Sequence, residues 1–172
     1  MYKRLYLYYL MENFDFDDTF NIWYHHDKDN WKVSGFKNIL SINNTKTFWQ
    51  LLNNSNILLN SNKHIFIMKN DVVPIWEDKN NINGGCWSFK IISDQIEKLF
   101  ELLMTNFVSN NLLKNYSNDD ILGISFCKKK NNFFVIKVWN KFSKLNSIGN
   151  LNDDIIDFTS NEIIYISHLV NT

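Results

Sequence analysis

The stretch from residue 121 to residue 139, ILGISFCKKKNNFFVIKVW, gives the clearest indication of how this chain folds. Two runs rich in isoleucine, valine and phenylalanine flank the polar segment KKKNN, a pattern typical of two strands joined by a turn. Strands that follow one another this closely pair antiparallel, since a parallel pair needs a long crossover connection. The stretch therefore predicts a β-hairpin and an antiparallel sheet around it.

Further strands and helices are predicted on both sides of this hairpin. Phe20, Ile22 and Tyr24 alternate as in a strand, and extended runs begin at residue 31 (WKVSGFKNIL), residue 64 (HIFIMK), residue 87 (WSFKII) and residue 162 (EIIYISH). Helical spacing predicts helices over residues 45–59 and 93–114, and a weakly helical region extends to about residue 157. This order favours an α+β fold, with two to three helices on one face of an antiparallel sheet. A parallel nucleotide-binding sheet is disfavoured, because no glycine-rich phosphate loop follows a strand.

The composition limits the classes of protein to be considered. A length of 172 residues suits a single domain over residues 1–172, and 45% hydrophobic residues exclude a disordered chain. The 18 basic and 18 acidic residues balance, so tight non-specific binding to long nucleic acids is not expected. Two cysteines without metal-site spacing predict a reduced, intracellular protein, and no apolar run reaches the length of a membrane span.

The start of the chain is predicted to form an edge strand or an ordered N-terminal arm, and residues 1–19 are assigned to this arm. It contains a basic pair and a short apolar run but lacks the small-residue cleavage site of a signal peptide. The abundance of asparagine, isoleucine and lysine suggests an AT-rich genome, such as that of a large virus or a parasite.

The loop PIWEDKNNINGGCW, residues 74–87, combines a tryptophan and a carboxylate with a polar turn. Trp76 and Glu77 stand side by side in it, and Trp31 likewise lies next to polar turn residues rather than within an apolar run. One interpretation is that each indole packs as a large, partly buried side chain whose N–H is satisfied. The other is that Trp31, Trp76 and Glu77 together hold a flat, cationic ligand rich in hydrogen-bond donors.

This loop resembles the signature of the messenger-RNA cap-binding translation initiation factor 4E family, which reads Pro-x-Trp-Glu-Asp, a polar stretch and Gly-Gly-x-Trp. Four further segments resemble the family in the same order: FNIWYHHDKDNW from residue 20, TKTFWQLLNN from residue 45, SDQIEKLFELL from residue 93 and GISFCKKKNNFFVIKVW from residue 123. The resemblance covers most of the chain from Phe20 to His168, whereas the N-terminal arm over residues 1–19 matches the family poorly. It implies a curved antiparallel β-sheet with helices on its convex face and a cap slot on its concave face.

The resemblance implies that Trp31 and Trp76 sandwich a 7-methylguanine base and that Trp139 contacts its methyl group. The chemistry suits these residues, because the base carries a delocalised positive charge that two facing indoles attract. Glu77 suits the N1–H and N2–H₂ edge of guanine, since an ionised carboxylate can accept from two adjacent donors. These four residues form the predicted base site.

The predicted phosphate site departs from the family. An arginine is expected between the Gly-Gly pair and the next tryptophan, but this position is Cys86, whose neutral thiol cannot hold a phosphate. A second basic position falls near Val135, and Lys137, two residues on, would point to the same strand face. Either lysines hold the triphosphate less specifically than arginines would, or the lysine run is a solvated hairpin tip. The best match in that run is Lys129, with Lys128 and Lys130 as near alternatives.

Neither catalysis nor metal binding is predicted. No nucleophile–base arrangement stands out, and Cys86 has no histidine or second cysteine at ligand spacing. His25 and His26 are adjacent and would face opposite sides of a strand. The chain is therefore expected to bind its ligand without a cofactor and without catalysing a reaction.

The resemblance also implies a partner surface on the helices. Family members present such a surface to helical peptides of the initiation factor 4G scaffold or of repressor proteins. Trp49 matches the exposed tryptophan of the family, while Phe100 and Glu101 match a Leu-Glu pair on the second helix. NFDFDD stands where the family has a His-Pro-Leu segment, and Trp49 as a flanking core residue remains the alternative. The resemblance therefore supports cap binding more strongly than scaffold recruitment.

The expected function is binding of the 7-methylguanosine 5′ cap of messenger RNA in support of translation initiation. The expected location is the cytoplasm, or the host cytoplasm if the chain is viral. Two alternatives stay open: a cap-binding repressor or decoy that does not recruit the usual scaffold, and a protein-interaction module that has lost cap binding.

Overall fold

The computed structural model describes residues 13–27, 29–61, 63–114, 118–158 and 163–169. These ranges contain seven strands of one sheet: β1 Asp15–His25, β2 Phe36–Asn44, β3 His64–Lys69, β4 Gly85–Ile92, β5 Ile121–Lys129, β6 Phe133–Asn140 and β7 Ile164–Ser167. The α-helices in the same ranges are α1 Thr45–Asn53, α2 Ser55–Leu59, α3 Ile96–Val108 and α4 Asp153–Phe158. Short 3₁₀ turns at Val33–Gly35 and Ser93–Gln95 lead into β2 and α3.

The sheet is antiparallel throughout, with the strand order β2-β1-β3-β5-β6-β4-β7. Strands β5 and β6 form the predicted hairpin, which ends with Lys129 opposite Phe133. The turn between them uses Asn132 in the left-handed conformation, at φ 56°, which asparagine tolerates better than most residues. The hairpin prediction is therefore confirmed.

Side chains along each strand alternate between two faces of the sheet. In β3, Ile65 and Ile67 belong to the core beneath the helices, which we call the helix face, whereas Phe66 and Met68 lie on the opposite side, the open face. The buried cluster on the open face consists of Phe36, Phe66, Met68, Val72, Cys86, Leu122 and Trp139. The predicted α+β class, a curved antiparallel sheet with helices on its convex face, is confirmed.

The helices are shorter than the sequence pattern predicts. The first predicted helix breaks at Asn54, whose side-chain Nδ2 donates to the Gln50 carbonyl at 2.8 Å. The second ends at Val108 rather than near residue 114, because Asn110 adopts the left-handed conformation, at φ 53°. The N–H of Asn111 then donates to the Asn106 carbonyl at 2.7 Å, closing a helix-terminating Schellman motif.

The predicted N-terminal arm extends too far, because residues 15–19 already belong to β1. Asp15 pairs with Asn44, and the side chain of Phe16 packs against the core of the helix face. Phe14 is joined to the start of α1, since its N–H donates to Thr45 Oγ1 at 3.0 Å and its carbonyl accepts from the Thr45 N–H at 2.9 Å. The rest of the predicted arm, residues 1–12, lies outside the described residues. In the described ranges, no helix combines the length and apolarity needed to cross a membrane.

Candidate functional site

A cavity of about 320 Å³ lies on the open face of the sheet, and we call it the aromatic cavity. Its walls come from the β1–β2 loop, from the loop that follows β3, and from strands β3, β5 and β6. The lining residues are Trp31, His64, Phe66, Pro74, Ile75, Trp76, Glu77, Ser125, Lys137 and Trp139. The structure thus brings together all four residues of the predicted base site and one predicted phosphate lysine.

Trp31 is presented by the loop between β1 and β2. Its side chain is 57% exposed, and its indole packs against the ring of His25, with 4.2 Å between ring centroids. His25 Nε2 donates to the Asn30 carbonyl at 2.8 Å, which holds the loop next to the strand. A Cβ at Gly35 would lie 1.9 Å from the same carbonyl oxygen, so this close approach requires glycine. The loop is therefore well anchored, although the indole itself stays accessible.

Trp76 is supported by His168, whose ring stacks on the indole at 5.2 Å with 20° between the planes. Trp76 is 41% exposed, whereas His168 is buried. The Nδ1 of His168 donates to the Asn81 carbonyl at 2.9 Å. Burial lowers the pKa of His168, so its imidazole is uncharged at neutral pH. A neutral ring thus covers one side of Trp76 and holds the indole in place.

The loop that carries Trp76 and Glu77 is shaped by Asn81, a fully buried residue. Its Nδ2 donates to the carbonyls of Val73 and Ile75, both at 2.8 Å. These bonds satisfy backbone groups on the inner side of the loop and close it around the amide. A Cβ at Gly84 would lie 2.0 Å from the Asn140 carbonyl oxygen, so the return of the loop into β4 also requires glycine.

Trp139 forms the buried floor of the aromatic cavity. It is 2% exposed, and its Nε1 donates to Ser125 Oγ at 3.4 Å. Its ring lies 4.8 Å from the ring of His168 and 6.1 Å from that of Phe66. Glu77, by contrast, is an exposed wall residue at the mouth of the cavity. The cavity therefore combines an apolar floor with a carboxylate at its rim.

A second cavity, of about 390 Å³, adjoins the first and shares Trp31, His64 and Lys137 with it. We call it the basic pocket, because four lysines line it. Its lining residues are His25, Trp31, Lys63, His64, Cys127, Lys128, Lys129, Val135 and Lys137. Within the described part of the chain, these lining residues include no aspartate or glutamate. The pocket is therefore suited to an anion.

The lysines of the basic pocket differ in where their ammonium groups lie. Lys128 Nζ donates to Asn60 Oδ1 at 3.4 Å, and Lys63 Nζ lies 5.6 Å from the centre of the Tyr24 ring, so each contacts a residue that lines neither cavity. Lys129 and Lys137 are the better candidates for binding an anion in the pocket, because the charges of both lower the pKa of His64, which lines both cavities. Lys130 lies in the exposed hairpin turn and does not line the pocket. Of the predicted phosphate lysines, the structure thus favours Lys129 and Lys137.

His64 stands where the two cavities meet, and sequence reasoning did not identify it. Burial lowers its pKa to about 3, and the positive charges of Lys137 and Lys129 act in the same direction. Its imidazole is therefore neutral at physiological pH. The positive charge of the basic pocket is consequently supplied by lysines rather than by His64.

Cys86 is fully buried in the cluster on the open face, opposite Trp139 across the β4–β6 ladder. Burial raises the pKa of its thiol to about 11, so the sulfur stays protonated. Cys86 lines neither cavity and acts as a small apolar residue beneath the site. Among the described residues, no group of three or more metal-ligating side chains is assembled.

The predicted partner residues lie on the helix face, but one of them is inaccessible. Trp49 is half-buried against Phe48, with 5.7 Å between ring centroids, and Glu101 is half-buried on α3. Phe100 is 0% exposed, and its ring packs 5.1 Å from that of Phe126. The prediction that Phe100 contacts a partner is therefore wrong, because β5 covers its side of α3.

The chain thus has an α+β fold, with helices on one face of an antiparallel sheet and an aromatic cavity beside a basic pocket on the other. The chain belongs to the Eukaryotic initiation factor 4E family, whose sequence model matches residues 15–171.

Relatives include the eukaryotic translation initiation factor 4E of Dictyostelium discoideum, which is 27% identical over 140 residues covering 72% of this chain and 51% of that protein. Another is the eukaryotic translation initiation factor NCBP of Triticum aestivum, 30% identical over 109 residues covering 61% of this chain and 44% of that protein. The chain thus matches about half the length of these curated relatives.

Solved structures share the fold. The complex of C. elegans eIF4E-3 with the 4E-binding protein Mextli and a cap analog has a TM-score of 0.75 at 18% identity, covering 91% of this chain and 94% of that chain. Ascaris suum eIF4E-3 with an m7G cap has a TM-score of 0.69 at 17% identity, covering 94% of each chain. At these identities the likeness shows the fold.

Proposed function

We propose that this chain binds the 7-methylguanosine 5′ cap of messenger RNA and supports translation initiation. The observation that carries the proposal is the aromatic cavity, in which Trp31, Trp76 and Glu77 meet although the two tryptophans are far apart in the sequence. The proposed role is binding and not catalysis. The proposed place of action is the cytoplasm, where capped messengers are translated.

In this proposal the aromatic cavity is the base half of the site. The cationic 7-methylguanine stacks between Trp31 and Trp76, which are exposed enough to receive it. Stacking contributes about 1–3 kcal/mol per base, and the cation–π attraction adds about 2 kcal/mol when desolvated. Glu77 accepts from the N1–H and N2–H₂ edge of the base, and a charge-assisted bond of this kind contributes about 1.5–3 kcal/mol. Trp139 provides the buried floor against which the methyl group rests.

The basic pocket is the phosphate half. The two cavities share Trp31, His64 and Lys137. The triphosphate of a nucleotide whose base lies in the aromatic cavity can therefore extend directly into the basic pocket. Lys129 and Lys137 supply the charge there. Their flexible ammonium groups attract phosphate as point charges and lack the two-pronged geometry of arginine.

The family relationship supports this proposal. The solved C. elegans protein holds a cap analog and the Ascaris suum protein holds an m7G cap, and both share the fold of this chain. The C. elegans protein also binds the 4E-binding protein Mextli. By extension, we propose that a helical peptide of a 4G-type scaffold, or of a repressor, docks on the helix face at Trp49 and Glu101.

Retention on immobilised 7-methyl-GTP tests the cap-binding proposal. Free 7-methyl-GTP should elute the bound protein, whereas GTP at the same concentration should not. A folded protein that passes through the resin would overturn the proposal and favour an interaction module without cap binding.

Capture of partners separates an initiation factor from a repressor or decoy. Protein loaded on the resin should retain a scaffold from a translation extract, and Trp49→Ala should release that scaffold while the variant stays bound to the resin. Retention of a small repressor in place of the scaffold would instead indicate inhibition of translation.

A further inference from the structure

Lys137 lies between the two cavities and also contacts Trp76. It lies on β6 two residues before Trp139 and therefore points to the same face of the sheet. It lines both the aromatic cavity and the basic pocket. Its Nζ lies 5.8 Å from the centre of the Trp76 ring, within the range of a cation–π contact.

His168 and the ammonium of Lys137 both contact Trp76. His168 stacks on the indole and is not among the residues that line the aromatic cavity, whereas Lys137 is. Lys137 and Trp76 are therefore neighbours within the lining of the aromatic cavity. Among the described residues, Lys137 forms no ion pair with a carboxylate, so its contact with the indole has no such competitor.

We propose that Lys137 couples the two halves of the site: its ammonium covers Trp76 until a ligand's phosphates draw it into the basic pocket, which uncovers the indole for the base. This inference rests on the proposed function. The physical reason is that two cations cannot share one face of one indole without repulsion, and the methylated base is itself cationic. A ligand without phosphates must displace Lys137 unaided, whereas a triphosphate offers the ammonium a stronger, charge-assisted partner.

The coupling makes Lys137 a determinant of specificity. It disfavours free 7-methylated nucleosides and favours 7-methylguanine that is attached to a phosphate chain, which is the chemistry of a cap. Lys129 lines the basic pocket and not the aromatic cavity, so it can attract phosphate without affecting access to Trp76.

The test is to titrate wild type, Lys137→Gln and Lys129→Gln with 7-methylguanosine and with 7-methyl-GTP, following tryptophan fluorescence. Lys137→Gln should bind the nucleoside about threefold to tenfold more tightly than wild type, the range of a partly exposed cation–π contact. The same variant should bind 7-methyl-GTP severalfold more weakly. Lys129→Gln should weaken binding of the triphosphate without any gain for the nucleoside. Lys137→Met, which keeps the apolar stem of the side chain, should behave like Lys137→Gln.

The decisive result is the opposite sign of the two effects at Lys137. If the nucleoside binds both Lys137 variants no better than it binds wild type, Lys137 is an ordinary phosphate ligand and the coupling is overturned. If wild type binds neither ligand, the proposed function itself fails. These two failures are distinguishable, because the first leaves 7-methyl-GTP binding intact in wild type.

Discussion

In the base half of the proposed site the aromatic rings are held by packed neighbours, whereas in the proposed phosphate half the charges are carried by flexible lysine side chains. Trp139 is buried, Trp76 is stacked on His168, and the loop behind Trp76 is closed by Asn81. Lys129, by contrast, is exposed near the end of a hairpin. Recognition of a base needs fixed planes and fixed acceptors, whereas attraction of phosphate needs only nearby positive charge.

On the proposed function, this difference accounts for a phosphate site that lacks an arginine at the position of Cys86. A lysine reaches phosphate from several backbone positions, so the positive charge can move to a neighbouring strand without remodelling the sheet. The stacking planes have no such freedom. Substitutions in the base half should therefore have larger effects than substitutions in the phosphate half.

The largest effect is expected for Trp31→Ala. Loss of one stacking plane and its cation–π attraction should weaken 7-methyl-GTP binding by about 100-fold. Because Trp31 is 57% exposed, the fold should survive, which circular dichroism checks. Trp49→Ala is the matched control, since it removes an indole from the helix face. Equal affinities for Trp31→Ala and wild type would mean that Trp31 is not a stacking plane.

The next effect is expected for Glu77→Gln, which replaces the carboxylate with an amide of nearly the same shape. The amide offers only one acceptor oxygen to the guanine edge, so 7-methyl-GTP affinity should fall about tenfold to 100-fold. Calorimetric titration measures this loss. Glu97→Gln on α3 makes the same chemical change on the other face of the sheet and should leave the affinity unaltered. A smaller loss at Glu77 than at Lys129 would show that phosphate, rather than base, dominates binding.

A third effect concerns stability at the boundary between the two halves. His64 has a pKa of about 3 in the folded protein and an ordinary value of 6.5 when unfolded, so between these pH values only the unfolded chain binds the proton. Protonation of His64 therefore leaves the free energy of unfolding unchanged above pH 6.5 and lowers it as the pH falls from 6.5 towards 3. The free energy of unfolding should decrease by up to about 1.4 kcal/mol per pH unit in this window.

Urea denaturation between pH 7.5 and 5 measures that slope. His64→Gln should reduce this slope and leave the contribution of His168, whose pKa is also lowered by burial. His26→Gln, at an exposed histidine, should retain the wild-type slope. An unchanged slope in His64→Gln would mean that a proton reaches His64 in the folded protein.

The smallest effect is expected for Lys129→Gln. An exposed charge contact of this kind contributes about 0.2–1 kcal/mol, so 7-methyl-GTP affinity should fall about twofold to fivefold, and less at high salt. Lys130→Gln is the control, because the adjacent lysine does not line the basic pocket. If Lys130→Gln weakens binding as much as Lys129→Gln does, the lysine run acts as a diffuse charge rather than through Lys129.

The parts of the fold that depend on local pattern could be predicted from the sequence. The alternation in the β5–β6 hairpin predicts a strand pair. The Trp-Glu loop points to Trp76 and Glu77, which both line the aromatic cavity. Helix ends could not be predicted as well, because Asn54 and Asn110 stop the helices through specific hydrogen bonds and a left-handed conformation. The burial of Phe100 could not be predicted for a related reason, because the exposure of an apolar helix residue depends on the strand packed against it.

The residues that support the site could not be predicted from the sequence either. His64 and His168 are lone histidines in strand-like segments, and only the pairing of β3 with β1 and of β7 with β4 places them beside the aromatic rings. Lys63 is likewise brought to the basic pocket by its place just before β3. The alternation of His64 with Phe66 indicates a shared face, but not which face that is.

Titration of the wild-type protein with 7-methyl-GTP, monitored by tryptophan fluorescence, tests the central claim most directly. Stacking of the cationic base between Trp31 and Trp76 should quench the emission and saturate at low-micromolar ligand, and GTP should require far higher concentrations. No quenching at high-micromolar 7-methyl-GTP, with the protein folded, would contradict the assignment of the aromatic cavity as a cap-binding site.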